Sequence, residues 1–361
     1  MSQKPLTKGT NGKTMRKLII SVAALACCFA ASAIAQDEGT PVPRFVTLPP
    51  KASVGTPAVT LPTWTGSFTY NGTKYSYYMV GTAPKTGTST TVKAFIIPVK
   101  VIIPGCTTNP KVDNESGETV LQQTIESPIF QKQTYTLGGT NVGTTQYEDA
   151  FQRANFWGTV KSHTGYHVLL GGPTVLPELT LTPGSNGSCS HPFGPLAGLM
   201  DINYFDSQAG AYIANHSQIT PDTIPIFMTD NLYLTSGGGC CIGGYHSANG
   251  PQAYSHFTYI TTPGVFSQDV SALSHEMGEW LDDPGVKGAF NNVACGILEV
   301  GDPEETFTNY GAFHYTLGGF TYNLQDLVFL EYFGAPNTTS VHGWMTFHNN
   351  PFGLSVCSNG G

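Results

Sequence analysis

The sequence is poor in charged residues, and above all in positive ones. Only 11% of its 361 residues are Asp, Glu, Lys or Arg, against about 25% in an average globular protein. After Lys161 the only further cation is Lys287. Because nucleic-acid binding depends on Lys and Arg that neutralise phosphates, the sequence argues against a nucleic-acid partner.

Long apolar runs are also lacking, since none reaches the ~20 residues of a membrane span. The longest run, residues 18–33, follows a basic segment and ends at an A-x-A site before Gln36. This pattern predicts a signal peptide over residues 1–35, and hence a secreted, periplasmic or extracellular protein without a membrane span. Without those residues, 11 basic residues remain against 24 acidic ones, a net charge of −13.

Cysteines are few, and no C-x-x-C spacing occurs, which disfavours a structural zinc ribbon. An even number outside the signal segment of an exported chain predicts disulfides. The adjacent pair Cys240 and Cys241 is expected to bond to two separate partners. The six cysteines beyond the signal segment are Cys106, Cys189, Cys240, Cys241, Cys295 and Cys357.

Many glycines and prolines separate short alternating segments, which predicts strands and turns together with a few helices. Asn71-Gly72 predicts a tight hairpin turn. Residues 92–103 are typical of a buried strand pair broken at Pro98. Apolar periodicity predicts helices over residues 145–157 and 206–214. Residues 236–244 are interpreted as a Gly-rich loop, although not as a phosphate loop.

We therefore predict an α+β fold in which a central helix packs on a mixed β-sheet. Residues 36–63 are Pro-rich and are interpreted as an extended leader. Residues 64–220 are predicted to form a β-rich N-terminal portion, and residues 221–361 the portion that carries the functional site. The oligomeric state is left open.

The central helix carries a histidine and several carboxylates within residues 274–284. His275 and Glu279 are four residues apart and share one helical face. The helix is predicted to begin near Ser267, with Asp269 in its first turn, and to end at Pro284. Without a cation these acidic groups repel one another, so the sequence predicts a metal site.

A catalytic zinc ion uses three protein ligands and a water molecule. His275 and Glu279 supply two, and Glu299 is the candidate for the third. Asp302 can hold a ligand histidine in the required tautomer without binding the ion itself. Glu276 is the candidate general base. Two carboxylates beside one histidine suit Zn²⁺, and also make Mn²⁺ or Ca²⁺ plausible.

His275-Glu276-x-x-Glu279 followed by Glu299-x-x-Asp302 resembles the zincin metallopeptidases of the gluzincin kind, with Glu279 where those enzymes have histidine. The resemblance implies a zincin-like core, a peptide or protein substrate, and the roles given above. Residues 220–305 also resemble secreted bacterial relatives of the exordium-like, phosphate-induced proteins. That resemblance includes Cys241-Ile242-Gly243-Gly244-Tyr245-His246.

Other functions remain open on the sequence. One is a non-catalytic extracellular or cell-surface protein with a structural metal site. Another is a glycoside hydrolase using Glu276 and Glu299 as paired carboxylates, and a third interpretation is a surface helix with a solvated acidic face. His246 and His256 precede the helix and can reach the site or serve structure. The candidates for oxyanion stabilisation are His314, His342, Tyr315 and Tyr332.

Overall fold

The structure is a computed structural model of the chain, and it describes residues 41–47, 61–249, 251–284, 298–305 and 307–350. It shows helices around a large mixed sheet, which confirms the α+β class predicted from the sequence. The predicted signal peptide, Cys295 and Cys357 lie outside the described residues.

Strands are numbered here in chain order. They are β1 (Arg44–Thr47), β2 (Thr63–Tyr70), β3 (Thr73–Val80), β4 (Ser89–Val101), β5 (Asn114–Glu115), β6 (Glu118–Thr119), β7 (Gln133–Leu137), β8 (Thr140–Thr145), β9 (His167–Val175), β10 (Leu179–Leu181), β11 (Gly187–Ser190), β12 (Ala197–Asp201), β13 (Thr223–Asp230), β14 (Leu232–Ser236), β15 (Gly239–Asn249), β16 (Gln252–Tyr259), β17 (Ala312–Leu317) and β18 (Phe320–Gln325). The α-helices are α1 (Val120–Glu126), α2 (Tyr147–Asn155), α3 (Trp157–Val160), α4 (Ile202–Asn215) and α5 (Ser271–Asp282).

The largest sheet has the strand order β10-β4-β13-β16-β15-β14-β12-β11, with β9 also beside β4 and β1 also beside β15. β4, β13 and β16 run parallel, whereas β15 is antiparallel to β16. The pairing of β4 with β13 joins strands on both sides of the boundary predicted at residue 220. The sheet therefore continues from the β-rich portion into the portion that carries the site.

Strand β4 passes through Pro98 without interruption, so the prediction of two strands broken there was wrong. On one side of β4, the pairing with β9 ends at Val175 and the pairing with β10 begins at Leu179. Pro98 lies between these two partners, where its missing N–H removes no ladder hydrogen bond. The predicted hairpin at Asn71-Gly72 is confirmed by the pairing of β2 with β3.

The two faces of the sheet carry different helices, and side-chain alternation decides which residues face each one. Tyr245 and Phe227 belong to the core that contains α4. Met228 belongs to the core that contains α5 and α2. Since the Tyr245 side chain points towards α4, the neighbouring positions 244 and 246, occupied by Gly244 and His246, face α5.

Helix α5 lies against β15, β16 and the β17–β18 hairpin, and every one of its residues is buried. The interpretation as a surface helix with a solvated acidic face was therefore wrong. The helix begins at Ser271, because Ser267 and Asp269 have φ of 65° and 42° and are not helical. Ser267 instead donates a hydrogen bond to the Thr258 carbonyl, and the Asp269 carboxylate accepts bonds from Asn323 in β18.

Most of the predicted Gly-rich loop is strand β15, and only the turn before Gly239 connects it to β14. The pairing of β14 with β15 skips Cys241, which places a bulge at the two cysteines. The sulfur atoms of Cys240 and Cys241 lie against each other, and the expectation of separate partners stays a prediction because Cys295 and Cys357 lie outside the described residues. Cys106 pairs with Cys189, with their Cα atoms 5.9 Å apart.

The other predicted helices are found with shifted ends. Helix α2 (Tyr147–Asn155) begins two residues later than predicted, and α4 (Ile202–Asn215) begins four residues earlier. Asp201 caps α4 by accepting a hydrogen bond from the Tyr204 amide at 2.9 Å. None of the described helices is long and apolar enough to cross a membrane.

Candidate metal centre

His275 and Glu279 face the same space from one side of α5, as their spacing predicts. His275 Nε2 lies 3.1 Å from Glu279 Oε1, and both side chains are almost completely buried. The space that they face is bounded by residues 298–305. On this face the helix presents one imidazole nitrogen and one carboxylate to a common point.

The segment after the gap in the described chain brings Glu299 and Asp302 to the same space. Carboxylate oxygens of Glu279, Glu299 and Asp302 all lie within 4.8 Å of one another. Asp302 Oδ1 is 3.7 Å from His275 Nε2, and the Gly301 amide donates to Glu279 Oε1 at 3.2 Å. The structure thus brings together the four predicted metal-site residues, His275, Glu279, Glu299 and Asp302.

The orientation of His275 is set by Gln325, a residue that no motif or spacing in the sequence marks. Gln325 Oε1 contacts His275 Nδ1, while Gln325 Nε2 donates to the carbonyls of Gly301 and Tyr310 at 3.2 Å each. Because both amide donors have acceptors, the Oε1 atom must accept from the ring. This network assigns a proton to Nδ1, so Nε2, which faces the carboxylates, is the ring nitrogen placed to bind a metal.

Glu276 lies on a neighbouring edge of α5, where it faces β15. Its Oε2 atom is 3.1 Å from His246 Nδ1, and both residues are fully buried. A Cβ at Gly244 would lie 2.7 Å from Glu276 Oε1, so glycine at that position leaves the room that this oxygen occupies. His246 also lies 3.6 Å from Glu279 Oε2, which links β15 to the metal-site face of the helix.

Strand alternation explains why one of the two upstream histidines reaches the site and the other does not. His256 lies on the opposite face of the sheet, where it packs on Phe205 with ring centroids 4.5 Å apart. His256 Nε2 also hydrogen-bonds to Thr229 Oγ1 at 3.0 Å. The period of two along a strand can select His246, but only once the face towards α5 is known.

Two more acidic residues belong to this region, and sequence reasoning gave neither a metal role. Glu305 forms a compact group with His275 and Asp302, and Asp283 forms another with His246 and Glu299. The Glu305 carboxylate also accepts a hydrogen bond from the Phe45 amide.

Burial has a strong effect on the protonation of these groups. It raises the pKa of the Glu276 and Glu279 carboxyls well above their usual range, and neighbouring carboxylates raise both further. Burial likewise raises the pKa of Asp302 to about 6 and that of Glu305 to about 7. It lowers the pKa of His246 to about 3, so this ring is neutral at pH 7.

These properties fit a divalent cation. The donor set is one histidine nitrogen, His275 Nε2, together with several carboxylate oxygens. Such mixed nitrogen and oxygen sets bind Zn²⁺, and the excess of oxygen also suits harder ions such as Mn²⁺ and Ca²⁺. A cation here would offset the repulsion that otherwise keeps the carboxyls protonated.

The four residues considered for oxyanion stabilisation lie in other surroundings. Tyr315 contacts His348 Nε2 at 2.5 Å and packs beside Tyr135 and Tyr147. His342 lies 3.1 Å from Thr140 Oγ1 and stacks near Trp344. The last two candidates are His314, which lines a hollow with Ser267 and Tyr310, and Tyr332, which packs on Phe333.

Comparisons with known proteins add no assignment. No family model, curated protein or solved structure matches this chain. The functional argument therefore rests on the site itself, because a fold alone does not specify an activity.

Proposed function

We propose that this chain is a secreted metal-dependent hydrolase, and specifically a metallopeptidase with a zincin-like core. The observation that carries the proposal is that Glu279, Glu299 and Asp302 bring carboxylate oxygens within 4.8 Å of one another, with His275 Nε2 3.1 Å from Glu279 and 3.7 Å from Asp302. The arrangement of α5 beneath the antiparallel strand β15 supports the zincin-like architecture.

In this proposal His275, Glu279 and Glu299 hold the ion. Asp302 faces His275 Nε2, the nitrogen that would bind the ion. A divalent ion, when bound, supplies Lewis acidity towards water and towards a substrate carbonyl. Gln325 fixes the His275 ring by contacting Nδ1, which maintains the lone pair on Nε2. The chain's own part is therefore to present a rigid, correctly protonated set of ligands.

Glu276 is the residue that accepts the proton from the attacking water. His246 holds Oε2, while Oε1 has no hydrogen-bond partner within the described part of the chain. Burial raises the pKa of this carboxyl, and a raised pKa favours holding the proton that a general base later returns to the leaving amine.

The Glu276→Gln variant tests this role because it keeps the shape of the side chain and removes the base. We expect the hydrolysis of labelled casein to fall by about 10²- to 10⁴-fold, with the Zn²⁺ content unchanged. The matched control is Glu178→Gln, at a partly exposed glutamate on the rim of β10. Equal activity in wild type and Glu276→Gln would remove Glu276 as the base.

A second candidate function is a structural metal site in a non-catalytic extracellular protein. The complete burial of His275, Glu276 and Glu279 favours it, because a catalytic ion requires access for a substrate. Stoichiometric metal with no hydrolysis of any peptide by the wild-type protein would support this alternative. The glycoside hydrolase interpretation is weaker, since Glu276 and Glu299 alone would leave His275 and Glu279 without a role.

A further inference from the structure

A strand from the Pro-rich leader lies along β15 next to the candidate metal centre. β1 pairs in parallel with β15, with Phe45 opposite Gly244 and Val46 opposite Tyr245. Just before the strand, the Val42 amide donates to the Cys240 carbonyl at 2.8 Å, and the Val42 carbonyl accepts from Cys241 at 2.9 Å. The leader therefore binds this edge through its main chain.

Phe45 connects that strand to the ligand histidine. Its ring lies 4.0 Å from the His275 ring and 4.8 Å from the Phe266 ring, measured between centroids. Its amide donates to Glu305, whose carboxylate belongs to the same acidic group as His275. The Phe45 side chain thus packs on the His275 ring, and the Phe45 amide donates a hydrogen bond to the neighbouring Glu305 carboxylate.

The Phe45 ring occupies a place shaped to receive it. A Cβ at Gly243 would lie 3.0 Å from Phe45 Cε1 and 2.9 Å from Phe266 Cε1, so a larger residue there would crowd both rings. Phe45 is buried, with 5% of its surface exposed, whereas Val42 is 61% exposed. Phe45 is therefore the strand's most deeply buried described residue, and Val46 is partly buried against the core on the other face of the sheet.

The large sheet does not depend on β1 for its continuity. β15 pairs with β14 through Gly239–Ile242 and with β16 through Gly244–Asn249, so both of its neighbours remain without the leader. β1 contains four residues and shares its edge of β15 with the end of β14. A short strand held by a few backbone bonds and one ring is suited to leave its site.

We propose that this edge of β15 is a binding site for an extended peptide with an aromatic side chain, and that residues 41–47 occupy it as an internal blocking strand. Added strands bind by main-chain hydrogen bonds, while a side-chain pocket provides selectivity. A segment tethered to its own site acts at a high effective concentration, so it competes well against peptides in solution. The idea that this edge serves a peptidase rests on the proposed function. The binding of residues 41–47 at the edge, and the preference for an aromatic side chain, do not depend on it.

The Phe45→Ala variant of the full chain tests the proposal, with Val42→Ala as the matched control because Val42 is exposed. A chelator should remove Zn²⁺ from the Phe45→Ala protein at least tenfold faster than from wild type or Val42→Ala. A labelled peptide with the sequence of residues 40–47 should bind Phe45→Ala at least tenfold more tightly than wild type. The same peptide with Ala in place of Phe should lose that binding.

Equal chelation rates together with equal peptide binding in wild type and Phe45→Ala would overturn the proposal. If Phe45→Ala fails to fold by circular dichroism, Phe45→Leu keeps an apolar anchor, and it should show smaller changes in the same directions. Peptide binding does not require metal or hydrolysis. A protein that binds the peptide but hydrolyses nothing would therefore contradict the peptidase and leave the blocking strand supported.

Discussion

The protonation state and position of His275 depend on residues that lie far from it in the sequence. Gln325 follows it by 50 residues and contacts Nδ1, while Gly301 lies against the same ring. A Cβ at Gly301 would overlap His275 Nδ1, so this glycine is required by close approach and not by its backbone angle. The His275 ring is positioned as much by this contact as by α5.

Gly301→Ala is therefore expected to weaken Zn²⁺ binding by about 10- to 100-fold, as changes behind a metal ligand typically do. The added methyl group must move either the ring or residues 298–302. Isothermal titration calorimetry measures the effect. Gly210→Ala is the control because its Cβ would meet only Asn249 Nδ2, at an ordinary 3.5 Å. An unchanged affinity in Gly301→Ala would contradict the assigned position of His275.

Part of this site could be predicted at the level of residues. The spacing of His275 and Glu279 places them on one helical face, and the structure confirms that both face the same point. Glu299 and Asp302 were selected as acidic residues on the segment that follows the helix, and no local spacing shows that this segment returns to the helix. Gln325 and Glu305 could not be found, because their contacts arise from tertiary packing that leaves no local pattern in the sequence.

At the scale of elements, α5 is unusual because it is polar yet buried on every side. Gly278 allows this at one point. A Cβ there would lie 2.5 Å from Leu327 Cδ1 and 3.3 Å from Glu148 Oε2 on α2. The close approach of these neighbours holds α5, and with it His275 and Glu279, against α2 and the segment that follows β18.

Gly278→Ala sets two effects against each other. Helix propensity would stabilise the fold by about 1 kcal/mol, whereas overpacking a filled core typically costs about 1–3 kcal/mol. Since Leu327 is fully buried, we expect the second effect to dominate and the free energy of unfolding to fall. Urea denaturation measures this, and Gly210→Ala in α4 should show the opposite sign. A more stable Gly278→Ala would contradict the packing described here.

Element boundaries were harder to predict than element types. The sequence suggested an N-cap at Ser267, but the side chains of Ser267 and Asp269 are used to bind β16 and β18 instead. Pro98 suggested a break, but it lies where β4 changes partner. In both cases the sheet, which forms between distant segments, overrides the local preference.

On the scale of the whole molecule, carboxyls outnumber cations, and many are buried. Burial raises the pKa of Asp230 to about 9, with Asp113 raising it further. Burial also raises the pKa of Asp269 and Asp282 to about 8 each. Each of these groups keeps a proton in the folded state that the unfolded chain loses above its ordinary pKa, near 4.

The sign of the pH dependence follows from this difference. Between about pH 4 and pH 9 the folded state binds more protons than the unfolded state, so the free energy of unfolding falls as the pH rises. Asp230→Asn should flatten that decline and make the protein more stable than wild type at pH 8, with little difference at pH 4. Urea denaturation across this range checks it, with Asp222→Asn, at a partly exposed aspartate, as the control. An unchanged slope in Asp230→Asn would contradict the burial effect.

The central claim is that His275, Glu279, Glu299 and Asp302 hold one divalent ion. Elemental analysis of Zn²⁺-loaded and dialysed protein, followed by X-ray absorption, tests it most directly. We predict about one Zn²⁺ per chain, bound by one nitrogen and several oxygens at about 2.0–2.2 Å, and loss of the ion in His275→Ala. A wild-type protein without stoichiometric metal, or a His275→Ala protein that retains it, would contradict the account.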